Sequence, residues 1–195
     1  MCEFGFSVER EGYMFKSSAK IKKQGRAAYY KMLDDVRKGE LLQVRRGVYA
    51  TVEQLSGNMI DIGSIVPDGI LCLWSAWNIY HLTTSISQAY HVAIKRGRKL
   101  KVPDFPKIEL HSCSDSILEL GVCTMEIDGC RFRIYDVERS VCDAVKFRNK
   151  VGIDVCSEII SQYLNRPDRN ISKLMDYAHT LRVGNILESY LQMKL

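Results

Sequence analysis

Residues 16–50 read KSSAKIKKQGRAAYYKMLDDVRKGELLQVRRGVYA. KSSAKIKKQ (16–24) predicts a short basic helix that stops at Gly25, a residue suited to a turn. RAAYYKMLDDVRK (26–38) predicts a second helix, because Ala28, Tyr29, Met32, Leu33 and Val36 recur at helical spacing and Gly39 follows as a stop. LLQV (41–44) and GVYA (47–50) are β-prone runs around Arg45-Arg46-Gly47, the pattern of a hairpin. Helix, glycine turn, helix and hairpin in that order predict a winged helix-turn-helix.

The charge distribution points to the same segment. The chain has 195 residues and a formal net charge of +5. Residues 1–50 hold eleven Lys and Arg against six Asp and Glu, so the remainder is balanced at 17 of each. Between Lys16 and Ala50 the ratio is ten basic to three acidic. In a helix-turn-helix the second helix enters the major groove with its N-terminal residues at base edges. With the apolar stripe packed inward, Arg26, Tyr30 and Lys31 face outward, and Arg26 suits bidentate contact with guanine. Lys20, Lys22 and Lys23 on the preceding helix suit backbone phosphates. Arg45 and Arg46 at the hairpin tip suit a wing lying along the backbone or in the minor groove. A solvated basic face is the plainer alternative; charge and motif together favour DNA.

After Ala50 the pattern changes, which sets the expected domains at 1–50 and 51–195. Residues 52–66 look helical, ILCL (70–73) is a buried-strand pattern, and SAWNIYHL (75–82) predicts a helix capped by Ser75. AYHVAIK (89–95) and KIELHSC (107–113) predict strands. Between them KRGRKLK (95–101) carries five basic residues in seven, either a phosphate-facing surface or a solvated connector. CTMEI (123–127) and CRFRIYD (130–136) predict a hairpin about Asp128-Gly129. From Val137 onward the pattern is helical, punctuated by Gly152, Asn165-Arg166-Pro167 and Gly184. The expected fold class is α+β: a winged helix-turn-helix, then a mixed α/β domain with a helical C-terminal tail.

Composition narrows the setting. The opening MCEFGFSVER lacks a secretory signal, and the longest apolar stretch, around Gly69–Trp77, is far short of a bilayer span. Seven cysteines, at 2, 72, 113, 123, 130, 142 and 156, show no CxxC spacing. Inert, reduced thiols are therefore expected, in a reducing cytoplasm without a membrane partner.

Catalytic patterns are scarce: there is no GxGxxG, P-loop, HExxH or GxSxG. His81, His91, His111 and His179 have no metal-ligand spacing, so neither metal nor cofactor is expected. Glu109, Glu126 and Asp128 are the carboxylates on which a metal-dependent nuclease or nucleotide-modifying enzyme with a basic DNA-binding arm would rely. Glu138, Arg139 and Asp143 open a helix, with Arg139 and Asp143 at i,i+4 spacing. An internal ion-pair network joining that helix to the sheet is expected in preference to catalysis.

Three segments, RKGELLQVRRGVYA (37–50), GILCLWSAWNIYHL (69–82) and IYDVERSVCDAV (134–145), resemble in order and separation the AbiEi family. Its members are antitoxins and regulators of bacterial abortive-infection systems. The resemblance implies a non-enzymatic, DNA-binding transcriptional autorepressor in a type IV toxin–antitoxin operon of phage defence. It implies two partners: operator DNA, and a nucleotidyltransferase-type toxin counteracted without a stable complex. Glu138, Arg139 and Asp143, within the matching ERSVCDA segment, become candidates for the antitoxin domain. A protein-interaction module docking its basic N-terminus on an acidic partner is the remaining alternative.

Overall fold

The computed structural model describes residues 16–51, 62–127 and 130–193, with the side chain of Arg45 outside the description. The protein is a mixed α+β structure containing a three-stranded and a five-stranded sheet. It divides into two compact units. The first comprises Met1–Pro67 with Leu100–Phe105 and Met125–Phe132; the second comprises Asp68–Lys99, Pro106–Thr124 and Arg133–Leu195.

In the first unit, β1 (Lys16–Ser17) is followed by helices α1 (Ser18–Lys23) and α2 (Arg26–Arg37) and strands β2 (Leu41–Arg45) and β3 (Val48–Thr51). The strand at Lys16–Ser17 was not foreseen. It exists because these residues pair antiparallel with Tyr49 and Val48, and because the Ser18 amide donates to the Gly47 carbonyl at 2.8 Å. The helix expected from Lys16 therefore begins only at Ser18. Gly25 separates the helices at φ +117°, a backbone state that L side chains rarely adopt. Met32, Leu41, Val44, Val48 and Ala50 are buried. Ala28, Tyr29, Leu33 and Val36, the rest of the predicted stripe, are half-buried. Helix α3 (Ile62–Ile65) covers the end of the stretch expected to be helical; residues 52–61 of that stretch lie outside the description.

The large sheet runs β6-β5-β4-β8-β7. Its strands are β4 (Ile70–Leu71), β5 (Tyr90–Lys95), β6 (Ile108–Cys113), β7 (Val122–Ile127) and β8 (Cys130–Tyr135). β4 pairs antiparallel with β5 and parallel with β8, and β5 pairs parallel with β6. β7 and β8 are hydrogen-bonded neighbours, and the Asp128-Gly129 turn assigned to them lies outside the description. The intervening helices are α4 (Trp74–Ile79) and α5 (Asp115–Leu118).

Four helices complete the second unit: α6 (Val137–Val151), α7 (Ile153–Leu164), α8 (Ile171–Thr180) and α9 (Gly184–Gln192). Its apolar core draws Trp77 from α4, Tyr135 from β8, and Val141, Cys142, Ile159, Ile160, Leu174 and Leu187 from the terminal helices. Trp77 Nε1 donates to the Ser140 carbonyl at 2.9 Å, tying α4 to α6. Ser75 does not cap α4. That helix starts one residue earlier, after Leu73, and the Ser75 hydroxyl instead accepts from the His91 amide at 2.8 Å. Among the described residues no helix is long and apolar enough to cross a membrane.

Candidate functional site

In the first unit the local sequence places one polar face outward. Packing Met32 and its neighbours leaves Arg26, Tyr30 and Lys31 exposed on α2, and Tyr30 retains 67% of its surface. Lys20, Lys22 and Lys23 are exposed on α1, which has no acidic residue in its first turn. Arg46 is exposed at the β2–β3 connection. The Lys22 ammonium lies 4.8 Å from the centre of the Tyr29 ring. A groove of about 400 Å³ runs between α1 and α2, lined by Lys16, Lys20 and Lys31 with Asp35 and Met32. Lys38 is neutralised by Asp34 at 2.7 Å. The outward positions of α1 and α2 thus combine exposed cations with an exposed aromatic ring, a set able to neutralise phosphates and stack on a base or sugar.

The second unit contains a different kind of site. Asp136 caps α6: its Oδ1 accepts from the Arg139 amide at 2.8 Å, while Oδ2 receives Tyr177 and Lys173. The cap sets the helix so that Arg139 and Asp143 fall on the same inward face. Arg139 Nε donates to Asp143 Oδ1 at 3.1 Å, Nη1 donates to the carbonyls of Ile117 and Leu120, and the guanidinium lies 4.2 Å from the centre of the Tyr135 ring. Burial pushes the Asp143 carboxyl up, opposed by Arg139. The pair forms one side of a cavity of about 220 Å³, whose other lining residues include Arg96, Ser114, Lys146 and Phe147.

Glu138 does not join that pair. Neighbours on a helix point about 100° apart, and Glu138 turns toward α7 and α8. There it receives Tyr163 Oη at 3.3 Å, the Asn170 amide at 3.3 Å and Lys173 Nζ at 3.2 Å. The side chains of the three residues therefore point into two networks, Arg139 and Asp143 toward β8 and α5, Glu138 among the helices.

Glu109 lies on β6 and Glu126 on β7, the two edges of the five-stranded sheet, and Asp128 lies outside the description. Glu126 is paired with Arg131. Lys95, from the basic KRGRKLK run, is paired with Asp115 at 2.6 Å. The six described cysteines are free thiols, and burial pushes Cys72 and Cys142 up, Cys142 to about 12. That environment holds both as unreactive thiols.

One constellation escaped the sequence reading. Parallel pairing of β5 with β6 sets His91 against Glu109 and Ala93 against His111. Glu109 and His111, two residues apart, share a face of β6. His91 Nδ1 then stands 2.9 Å from His111 Nε2 and 3.8 Å from Glu109 Oε2. The Glu-x-His spacing was visible in the sequence; the 20-residue separation from His91 concealed the rest.

Neither a family profile nor a characterised protein matches the chain.

Proposed function

We propose that the protein is a DNA-binding antitoxin and autorepressor of a type IV abortive-infection operon. In this reading residues 16–50 act as a winged helix-turn-helix. Arg26, Tyr30 and Lys31 face the major groove, Lys20, Lys22 and Lys23 face phosphates, and Arg45 and Arg46 form the wing. The second unit counteracts a nucleotidyltransferase-type toxin without a stable complex, and Arg139 and Asp143 maintain its fold.

One observation carries the reading. Lys20, Lys22, Lys23, Arg26, Lys31 and Arg46 are all exposed on a helix–glycine–helix–hairpin segment that holds the chain's whole excess of positive charge. The resemblance of RRGVY, SAWNIYHL and ERSVCDA to the AbiEi family supplies the operon context.

A mobility-shift titration on the DNA upstream of the protein's own reading frame tests the DNA-binding half. Retardation weakened about fivefold or more by Arg26→Ala is expected, since one good base contact contributes roughly 1–3 kcal/mol, with a smaller loss for Arg46→Ala. No retardation, or retardation indifferent to both substitutions, refutes it. Co-expression with a neighbouring nucleotidyltransferase-like reading frame tests the other half: growth must be rescued. Co-purification as a stable heteromer would instead favour an interaction module.

A further inference from the structure

We propose that His91, Glu109 and His111 form a binding site for a divalent transition-metal ion, zinc being the natural first choice. One donor atom from each residue lies within 4.8 Å of the other two. Two imidazoles and one carboxylate are the donor set that zinc takes in open sites, where three protein ligands leave a position for water.

The surrounding hydrogen bonds give His91 the tautomer a ligand needs. Ser87 Oγ spends its single proton on the Ala89 carbonyl, 3.1 Å away, and also receives the Ala89 amide. His91 Nε2 stands 3.1 Å from the same hydroxyl oxygen, which is placed to receive a ring proton there. With the ring proton on Nε2, Nδ1 presents its lone pair to His111 and Glu109. A ring N–H anchored on an oxygen acceptor is the usual outer support of a metal-bound histidine. Glu109 is divided in the same way: Oε1 faces Lys107 Nζ at 3.7 Å, and Oε2 faces His91.

Neutral rings suit the role. Without metal, one proton is shared between His91 Nδ1 and His111 Nε2, 2.9 Å apart. To accept an ion, both of these nitrogens must present lone pairs, so each ring holds its proton on its other nitrogen, with no change of charge. The nitrogens then open from 2.9 Å to about 3.3 Å, the spacing of two ligands about 2.05 Å from a tetrahedral centre. His111 and Glu109 are partly exposed on an edge strand, so an ion reaches them without unfolding the sheet. The ion would clamp β5 to β6 beside the cavity that His111 also lines.

Zinc titration of the full chain by calorimetry, with cobalt absorption as the second readout, tests the site. One equivalent is expected to bind. Glu109→Gln should weaken binding at least about tenfold and His111→Gln about a hundredfold, with far-ultraviolet circular dichroism unchanged. Bound cobalt should show visible ligand-field bands without thiolate charge transfer. These two residues are only partly buried, so their variants remain informative if His91→Ala fails to fold. Absence of one-equivalent binding, affinity unchanged in His111→Gln, or a thiolate band placing the ion on the cysteines would each overturn the proposal.

Discussion

Arg139 divides its guanidinium among several neighbours: Nε to Asp143, Nη1 to the carbonyls of Ile117 in α5 and Leu120 just after it, and its face to Tyr135. A guanidinium has the donor fork to do this, whereas a lysine ammonium has neither the fork nor the plane. Both ion-pair partners are almost wholly buried, at 3% and 4% exposure, so removing one strands the other's charge in the core. Arg139→Ala is therefore expected to cost about 3–5 kcal/mol in urea unfolding, and Arg139→Lys to recover only part of it. Replacing both, as Arg139→Met with Asp143→Leu, should cost less than the two single changes together, because neither charge is then left alone. A single-variant cost below about 1 kcal/mol would refute this account. The pair was legible in the sequence from its i,i+4 spacing. Its separation from Glu138 was not, because the partners of Glu138 come from residues 163, 170 and 173, whose placement depends on how α7 and α8 pack.

At the scale of elements, glycine and register decide what the hydrophobic pattern leaves open. Gly121 leads into β7 at φ +73°, and a Cβ there would stand 2.7 Å from Arg139 Cβ and 3.1 Å from Asp136 Oδ1. Its carbonyl also accepts the Asp136 amide at 2.7 Å. The start of α6 is thus fitted against a bare backbone. Gly121→Ala should destabilise the protein by about 1–3 kcal/mol from backbone strain and displacement of Arg139, a loss measurable in thermal or urea unfolding. Gly25→Ala meets no neighbour within 4 Å, so its cost comes from the backbone conformation alone, about 1–3 kcal/mol. Helical periodicity located α2 and the four terminal helices to within a residue or two, because each has one apolar face and a glycine, asparagine or proline break. The sheet order was not legible. β4 contributes only Ile70 and Leu71 yet occupies the middle position, and long-range pairing of that kind leaves no local signal. The parallel β5–β6 register, and with it the His91–Glu109–His111 constellation, was hidden for the same reason.

Taken as a whole, the molecule concentrates its net charge of +5 in its first fifty residues, with the remainder balanced. If DNA is the partner, binding should fall steeply with salt, and the dependence should trace to a few positions. Each phosphate contact contributes about 0.9 to the slope of log affinity against log salt concentration, so replacing Lys20, Lys22 and Lys23 with Gln should flatten it by up to about 3. A slope unchanged in that triple variant would remove α1 from the interface. The charge division and the helix–glycine–helix–hairpin order are legible in the sequence. The donor sets of the second unit were not, since they are assembled from strands and helices far apart in the chain. The edge-to-face pair Trp74 and Trp77, 5.2 Å apart, has an optical consequence. These are the protein's two tryptophans, and both sit in the second unit, Trp77 fully buried beside α6. Intrinsic emission excited at the indole band is therefore a private signal of that unit, and a ligand held by residues 16–50 would need the tyrosines Tyr29, Tyr30 and Tyr49 or an added dye to be seen.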